Sequence, residues 1–156
     1  MVNKKIVLNV CGVKSLGGLK LFLESFDFLV ESGNKLTVLY SELPFYKDLQ
    51  NQFINTDLVN FIYVKQKRFT HPYLNFFLSN KINNKINMSD AIIHYGNFGF
   101  KTNIKSFVLI QNVLPLVKND LRNRLLRYFI LRSVRTSQYI LIQLQHLKNY
   151  LPSEEK

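Results

Sequence analysis

Glycines at 12, 17 and 18 lie between a short apolar run, Ile6–Val10, and a segment with periodic Leu19, Leu21, Phe22, Leu23, Phe26, Leu29 and Val30. A strand that ends in a glycine loop at a helix start can hold an anion. The first helical N–H groups lack intrahelical acceptors, the helix dipole favours negative charge, and glycine lets a ligand reach the backbone. The same glycines also suit close strand–helix packing with no ligand, and the residues leave both readings open. Two phosphate signatures are excluded. Gly12 and Gly17 have the Walker A gap, but Gly18 and Leu19 stand where Lys and Ser/Thr are required. Lys14 breaks the dinucleotide pattern G-x-G-x-x-G.

Two further clusters could do chemistry. His94-Tyr95-Gly96-Asn97-Phe98-Gly99-Phe100 follows a short apolar run after Asp90, and Gln111-Asn112-Val113-Leu114-Pro115 follows Phe107–Ile110. Amides bond hydroxyls as donor and as acceptor, and aromatic faces stack on sugar rings, so these sets suit a polyhydroxyl ligand. A lone histidine at a strand end is more often a satisfied core group, and Gln111-Asn112 also reads as a capped turn before Pro115.

The elements that must position these residues follow from periodicity. Strands are expected at Lys5–Val10, Lys35–Tyr40, Val59–Val64, Ala91–His94, Ser106–Ile110 and Tyr139–Ile142. These runs are continuously apolar, as in a parallel sheet covered on both faces. Helices are expected at Gly18–Ser32, Pro44–Asn55, Pro72–Asn83, Asn119–Val134 and Gln145–Leu151, with Ser32-Gly33-Asn34 ending the first. This alternation predicts one α/β domain over residues 1–156, a doubly wound, mainly parallel, Rossmann-like sheet with helices on both faces. Its ligands would bind at the carboxyl ends of the strands.

The 156 residues carry 21 Lys and Arg against 10 acids, a net charge of +11. Such a chain is drawn to phosphate-rich partners. The basic residues gather in Lys65–Arg68, Lys81–Lys85 and Lys118–Arg135. In the last block Arg122, Arg124, Arg127, Arg132 and Arg135 interleave with Leu121, Leu125, Leu126, Phe129, Ile130 and Leu131. That reads as a membrane-surface helix or as a core helix with a solvated face. Cys11, the single cysteine, excludes an internal disulfide and a cysteine-cluster metal site, and no apolar run approaches membrane-spanning length. A cytoplasmic location is expected.

In this order the segments resemble the N-terminal, acceptor-side domain of a GT-B glycosyltransferase of family four. Lys5-Ile6-Val7-Leu8-Asn9-Val10, then Gly17-Gly18-Leu19-Lys20, then Ser32-Gly33-Asn34-Lys35-Leu36-Thr37-Val38-Leu39 is similar to that family's opening. Asp90-Ala91-Ile92-Ile93-His94 resembles its Asp-x-x-His strand with a gap one residue longer. Val108-Leu109-Ile110-Gln111-Asn112-Val113-Leu114-Pro115 is similar to a segment that often reads His-Asp-x-x-Pro, with Gln and Asn in place of His and Asp. Gln138–Lys148 is similar to the Ala-Asp-x-Ile-Ile segment near the domain's end.

The resemblance implies a retaining hexosyltransferase of polysaccharide or lipopolysaccharide assembly, acting at the inner face of the membrane. Gly17, Gly18, Asn97, Gln111 and Asn112 would line the donor-diphosphate and acceptor site, and His94 would stand near the transferred sugar. The five arginines would meet anionic lipid. The substrates would be a nucleotide-sugar and a lipid- or glycan-linked acceptor, with no cofactor and no metal. The family's Glu-x₇-Glu pair lies in a second, donor-binding domain. Glu24 and Glu31 fall one residue short of that spacing and lie within the first helix. The chain is therefore expected to be inactive alone, its donor half absent or supplied by a separate chain. A basic nucleic-acid-binding domain and a scaffold subunit are the alternatives. The first lacks a recognition-helix, RNP-like or zinc signature.

Overall fold

The computed structural model describes residues 3–13, 15–41, 49–51, 57–64, 80–111, 114–143 and 149–151. Six strands form one sheet: β1 (Lys5–Asn9), β2 (Lys35–Tyr40), β3 (Val59–Tyr63), β4 (Ala91–His94), β5 (Lys105–Ile110) and β6 (Tyr139–Ile142). Their order is β3-β2-β1-β4-β5-β6, and every neighbouring pair is parallel. Each strand lies within a residue of its expected bounds. The central strands are mostly buried beyond their first residue, most fully β1 with its exposed Lys5 and buried Ile6, Val7, Leu8 and Asn9. Burial on both faces is why their sequences do not alternate.

The helices are α1 (Leu16–Glu31), α2 (Asn80–Asn87), α3 (Leu114–Val117) and α4 (Leu121–Thr136), and residues 49–51 are also helical. On one face of the sheet α1 presses Phe22 and Phe26 onto Ile6, Leu8, Leu36 and Val38. On the other, Ile86 of α2 and Phe100 pack on Val7 and Ile92, and Ile130 and Val134 of α4 pack on Val108 and Ile110. The connection from β4 to β5, residues 95–104, is not helical.

Several expected bounds are corrected. α1 begins at Leu16, two residues before Gly18, because Ser15 is its N-cap and accepts the Gly18 N–H through Oγ at 3.1 Å. It ends in the expected turn: Gly33 takes a φ of 76°, and the Gly33 and Asn34 N–H groups donate back to Val30 and Leu29. α4 begins at Leu121, after the Asp120 cap accepts the Asn123 N–H at 3.0 Å, and runs two residues past Val134. The segment after Gln111 is not only a turn, since Leu114–Val117 forms a short helix with Pro115 in its first turn. Residues 72–79 of the expected helix Pro72–Asn83 lie outside the described residues, and α2 covers its last four positions and runs on to Asn87. Only 49–51 of Pro44–Asn55 and 149–151 of Gln145–Leu151 are described, and 149–150 are a single 3₁₀ turn.

Candidate functional site

The strand order reverses between β1 and β4, and open parallel sheets bind ligands beyond the carboxyl ends at that point. Here the two loops leaving β1 and β4 touch. Gly96 adopts a φ of 83°, and a Cβ on it would lie 2.7 Å from both the carbonyl carbon and oxygen of Gly12. Asn97 follows with a φ of 75°, unusual for a residue with a side chain. Its N–H donates to Leu109 O (3.1 Å), and its Oδ1 accepts the Gln111 N–H (2.6 Å). Asn97 therefore ties the end of β4 to the end of β5 from a buried position.

Gln111 reaches the third cluster. A Cβ on Gly18 would lie 3.1 Å from Gln111 Oε1, 3.1 Å from Ser15 Oγ and 3.2 Å from Val13 Cγ1. A side chain at Gly18 would press on the Gln111 side-chain amide, so the two segments are in close contact. Gly17 has nothing within 4 Å of the corresponding point and is exposed. The open surface at the start of α1 consists of Ser15, Gly17 and Leu16, the last 87% exposed. Asn112 lies outside the described residues.

His94 is fully buried. Its register partner on β1 is Asn9, whose Nδ2 stands 3.0 Å from His94 Nδ1. Asn9 Oδ1 accepts the Cys11 N–H, so the Asn9 amide donates to Nδ1 and the imidazole proton sits on Nε2. Burial pushes the imidazole down from 6.5 to about 3, so the ring is neutral at physiological pH. Phe100 meets it edge-on with centroids 4.6 Å apart, and a Cβ on Gly99 would lie 2.9 Å from His94 Cδ2. The same point is 3.3 Å from Ser137 Oγ. His94 Nε2 and Ser137 Oγ are, among the described residues, the buried side-chain polar atoms without a hydrogen-bond partner. Phe100 and Gly99 of the 95–100 segment thus cover His94. Ser133 of α4 holds that segment down, accepting the Gly99 N–H at 2.9 Å.

Cys11, at the end of β1, is a core thiol pushed up to about 12 by burial, and it is not a nucleophile at neutral pH. Asn9, Ser15, Ser133 and Ser137 were not legible as site residues. The interruption of an apolar strand by Asn9 was the one available signal.

The arginines divide. Arg122, Arg124, Arg132 and Arg135 are exposed on α4. Arg127 is corrected from a free surface charge to a structural tie. Its Nε donates to Pro115 O (3.0 Å), and its Nη2 donates to Lys118 O (2.9 Å) and Asn119 Oδ1 (3.3 Å). It thereby satisfies the carbonyls that end α3. Arg127→Ala is expected to lower unfolding free energy by about 1–2 kcal/mol, through charge-assisted bonds to a half-buried guanidinium. Arg124→Ala should cost within about 0.5 kcal/mol. Urea midpoints of the two variants check this, and equal midpoints would sink the assignment.

A separate cavity of about 380 Å³ lies between α2, residues 100–103 and α4, lined in part by Asn83, Asn87, Lys101, Arg132 and Thr136. It sits away from the strand carboxyl ends. Among the described residues no group of three His, Cys, Asp or Glu side chains stands together, and no helix is long and apolar enough to cross a membrane.

The fold and the loops at its switch point define a Rossmann-like α/β domain with strand order 3-2-1-4-5-6. No protein-family model matches the chain, and no curated protein is significantly similar to it.

Proposed function

We propose that the chain is the acceptor-side half of a retaining glycosyltransferase, which takes a sugar from a nucleotide-sugar to a membrane-associated acceptor in cell-surface polysaccharide or lipopolysaccharide assembly. The observation that carries this reading is the meeting of Gly18 with Gln111, and of Gly96-Asn97 with Gly12 and Gln111, at one edge of a doubly wound sheet. These are the segments that the resemblance assigns to the donor diphosphate and acceptor. In this reading the backbone at Gly17 and the start of α1 face the charge that develops on the leaving diphosphate. The Gln111 amide addresses a hydroxyl of the acceptor. His94 supplies a neutral Nε2–H donor once the 95–100 segment opens. Turnover requires a donor-binding half, in the same polypeptide or another.

Titration of the ¹⁵N-labelled chain with UDP and with octyl glucoside tests this. Shifts at Ser15–Leu19, Gly96–Gly99 and Gln111 are expected, with no release of UDP from UDP-glucose by the chain alone. Shifts confined to Asn83, Lys101 and Arg132 would overturn the site. UDP release would overturn the half-enzyme assignment. The nucleic-acid-binding alternative rests on charge and interleaved aromatics, and a salt series of filter binding to RNA separates it.

Peripheral attachment to anionic lipid is part of the same proposal. Leu121, Leu125 and Tyr128 recur at spacings of four and three, so they share one face of α4, and they are 83%, 56% and 60% exposed. Leu114 and Val117 of α3 are also exposed, and exposed Arg122, Arg124 and Arg135 lie on the same helix as the apolar stripe. Apolar insertion with a basic rim is how an interfacial helix binds. Each arginine near an anionic surface is worth about 1 kcal/mol. Co-sedimentation with phosphatidylcholine vesicles containing phosphatidylglycerol is expected, and it should fall in high salt and with Leu125→Glu. Equal binding to pure phosphatidylcholine vesicles would defeat it.

A further inference from the structure

Parallel sheets are buried on both faces, yet among the described residues part of one face is left exposed. On the side where α1 covers β1 and β2, Leu109 of β5 is buried in the same core and Ile93 of β4 packs against it, but no described helix covers Phe107 of β5 or the strand β6 beside it. Tyr139 and Leu141 of β6 are 48% and 42% exposed there, while Ile140 and Ile142 of the same strand pack on the opposite face. Phe107 of β5 stacks on Tyr139, with centroids 4.7 Å apart and planes 18° from parallel. These rings and Ile93 line a groove of about 500 Å³. Its apolar wall continues the core surface on which α1 packs, since Ile6 borders the groove and also belongs to that core.

We propose that this groove seats an amphipathic helix, flanked by acidic side chains, from a partner chain. A helix is the complement because α1 already solves the same packing problem on the neighbouring strands, pressing apolar rings onto a flat parallel surface. Charge selects the flank. Lys4 and Lys105 stand at the groove's rim, both exposed and without an ion-pair partner among the described residues. Asp90, the acid at that rim, already accepts the Lys5 N–H at 2.7 Å. A second copy of this chain is disfavoured as occupant, because two proteins of charge +11 repel. The inference does not depend on sugar transfer.

The test uses two synthetic helical peptides with leucines on one face, one bearing glutamates on the other face and one bearing lysines. The glutamate peptide is expected to shift the NMR signals of Ile93, Phe107, Tyr139 and Leu141, and the lysine peptide to leave them in place. Tyr139→Asp should weaken binding about tenfold or more, as loss of an aromatic anchor does, with an unchanged circular dichroism spectrum since the residue is already half exposed. Leu125→Glu on α4 should leave binding intact. Shifts on α4 instead of the groove, equal binding of both peptides, or binding of neither would overturn the proposal. Self-association in ultracentrifugation that Tyr139→Asp abolishes would also overturn it, naming a second copy as the occupant.

Discussion

Gly96→Ala is expected to lower the melting temperature by about 10 °C, through a strain of about 3 kcal/mol at a slope of about 2–4 °C per kcal/mol for a chain of this size. Two costs add at this position. The φ of 83° lies in the left-handed region, where a side chain costs about 1–2 kcal/mol. A Cβ would also stand 2.7 Å from the carbonyl carbon and oxygen of Gly12. That neighbour is backbone, fixed by the end of β1, so it cannot rotate away as a flexible side chain would, and overpacking of this kind costs about 1–3 kcal/mol. Gly17→Ala is the matched control. It lies in α1 with nothing within 4 Å of the new Cβ, so helix propensity should stabilise it by up to about 1 kcal/mol. Gly96→Ala should therefore lower stability, whereas Gly17→Ala should keep or slightly raise it. Calorimetry of both variants decides it, and a Gly96→Ala protein that melts with the parent would show that the loop contact is not rigid.

The strands were legible because double burial writes a continuous apolar run, and nothing local competed with it. Their order was not legible, since pairing of β1 with β4 is a tertiary event. The central feature of the site follows from that pairing: Asn9 meets His94 only because the register of β1 and β4 sets them side by side. The start of α1 was misread for a definable reason. Gly17 and Gly18 carry loop propensity, but the Ser15 cap and the core contacts of Phe22 and Phe26 override it. α2 is nearly illegible, as Asn80–Asn87 offers only Ile82 and Ile86 as an apolar pair at helical spacing, and these are the residues that pack. The arginines were correctly seen as one helix, but Arg127 could not be told from its neighbours until α3 brought unpaired carbonyls beside it.

His94 is expected to give the fold a steep sensitivity to mild acid. Burial in surroundings that supply no compensating charge holds the imidazole neutral, with a folded-state value of about 3 against 6.5. Above pH 6.5 both the folded and the unfolded chain carry a neutral ring, and the full stability is present. As pH falls from there toward 3, the unfolded chain takes up a proton that the folded chain refuses, so stability is lost through that window at about 1.4 kcal/mol per pH unit. Between pH 6 and 4 the expected loss is about 2.5 kcal/mol, a large share of the roughly 5–15 kcal/mol of an ordinary domain. His94 is the only histidine among the described residues, and the exposed Asp120 carboxyl is held below its usual range by its bonds to Asn123. Its contribution falls at lower pH than most of this window. His94→Gln keeps an acceptor for the Asn9 amide but does not titrate. The variant should be less stable at pH 7, through the altered shape against Phe100 and Gly99, yet its stability should fall with acid more slowly than the parent's by about the same 1.4 kcal/mol per unit. Urea unfolding of both proteins from pH 7 to 4 measures the two slopes, and parallel slopes would remove His94 as the source.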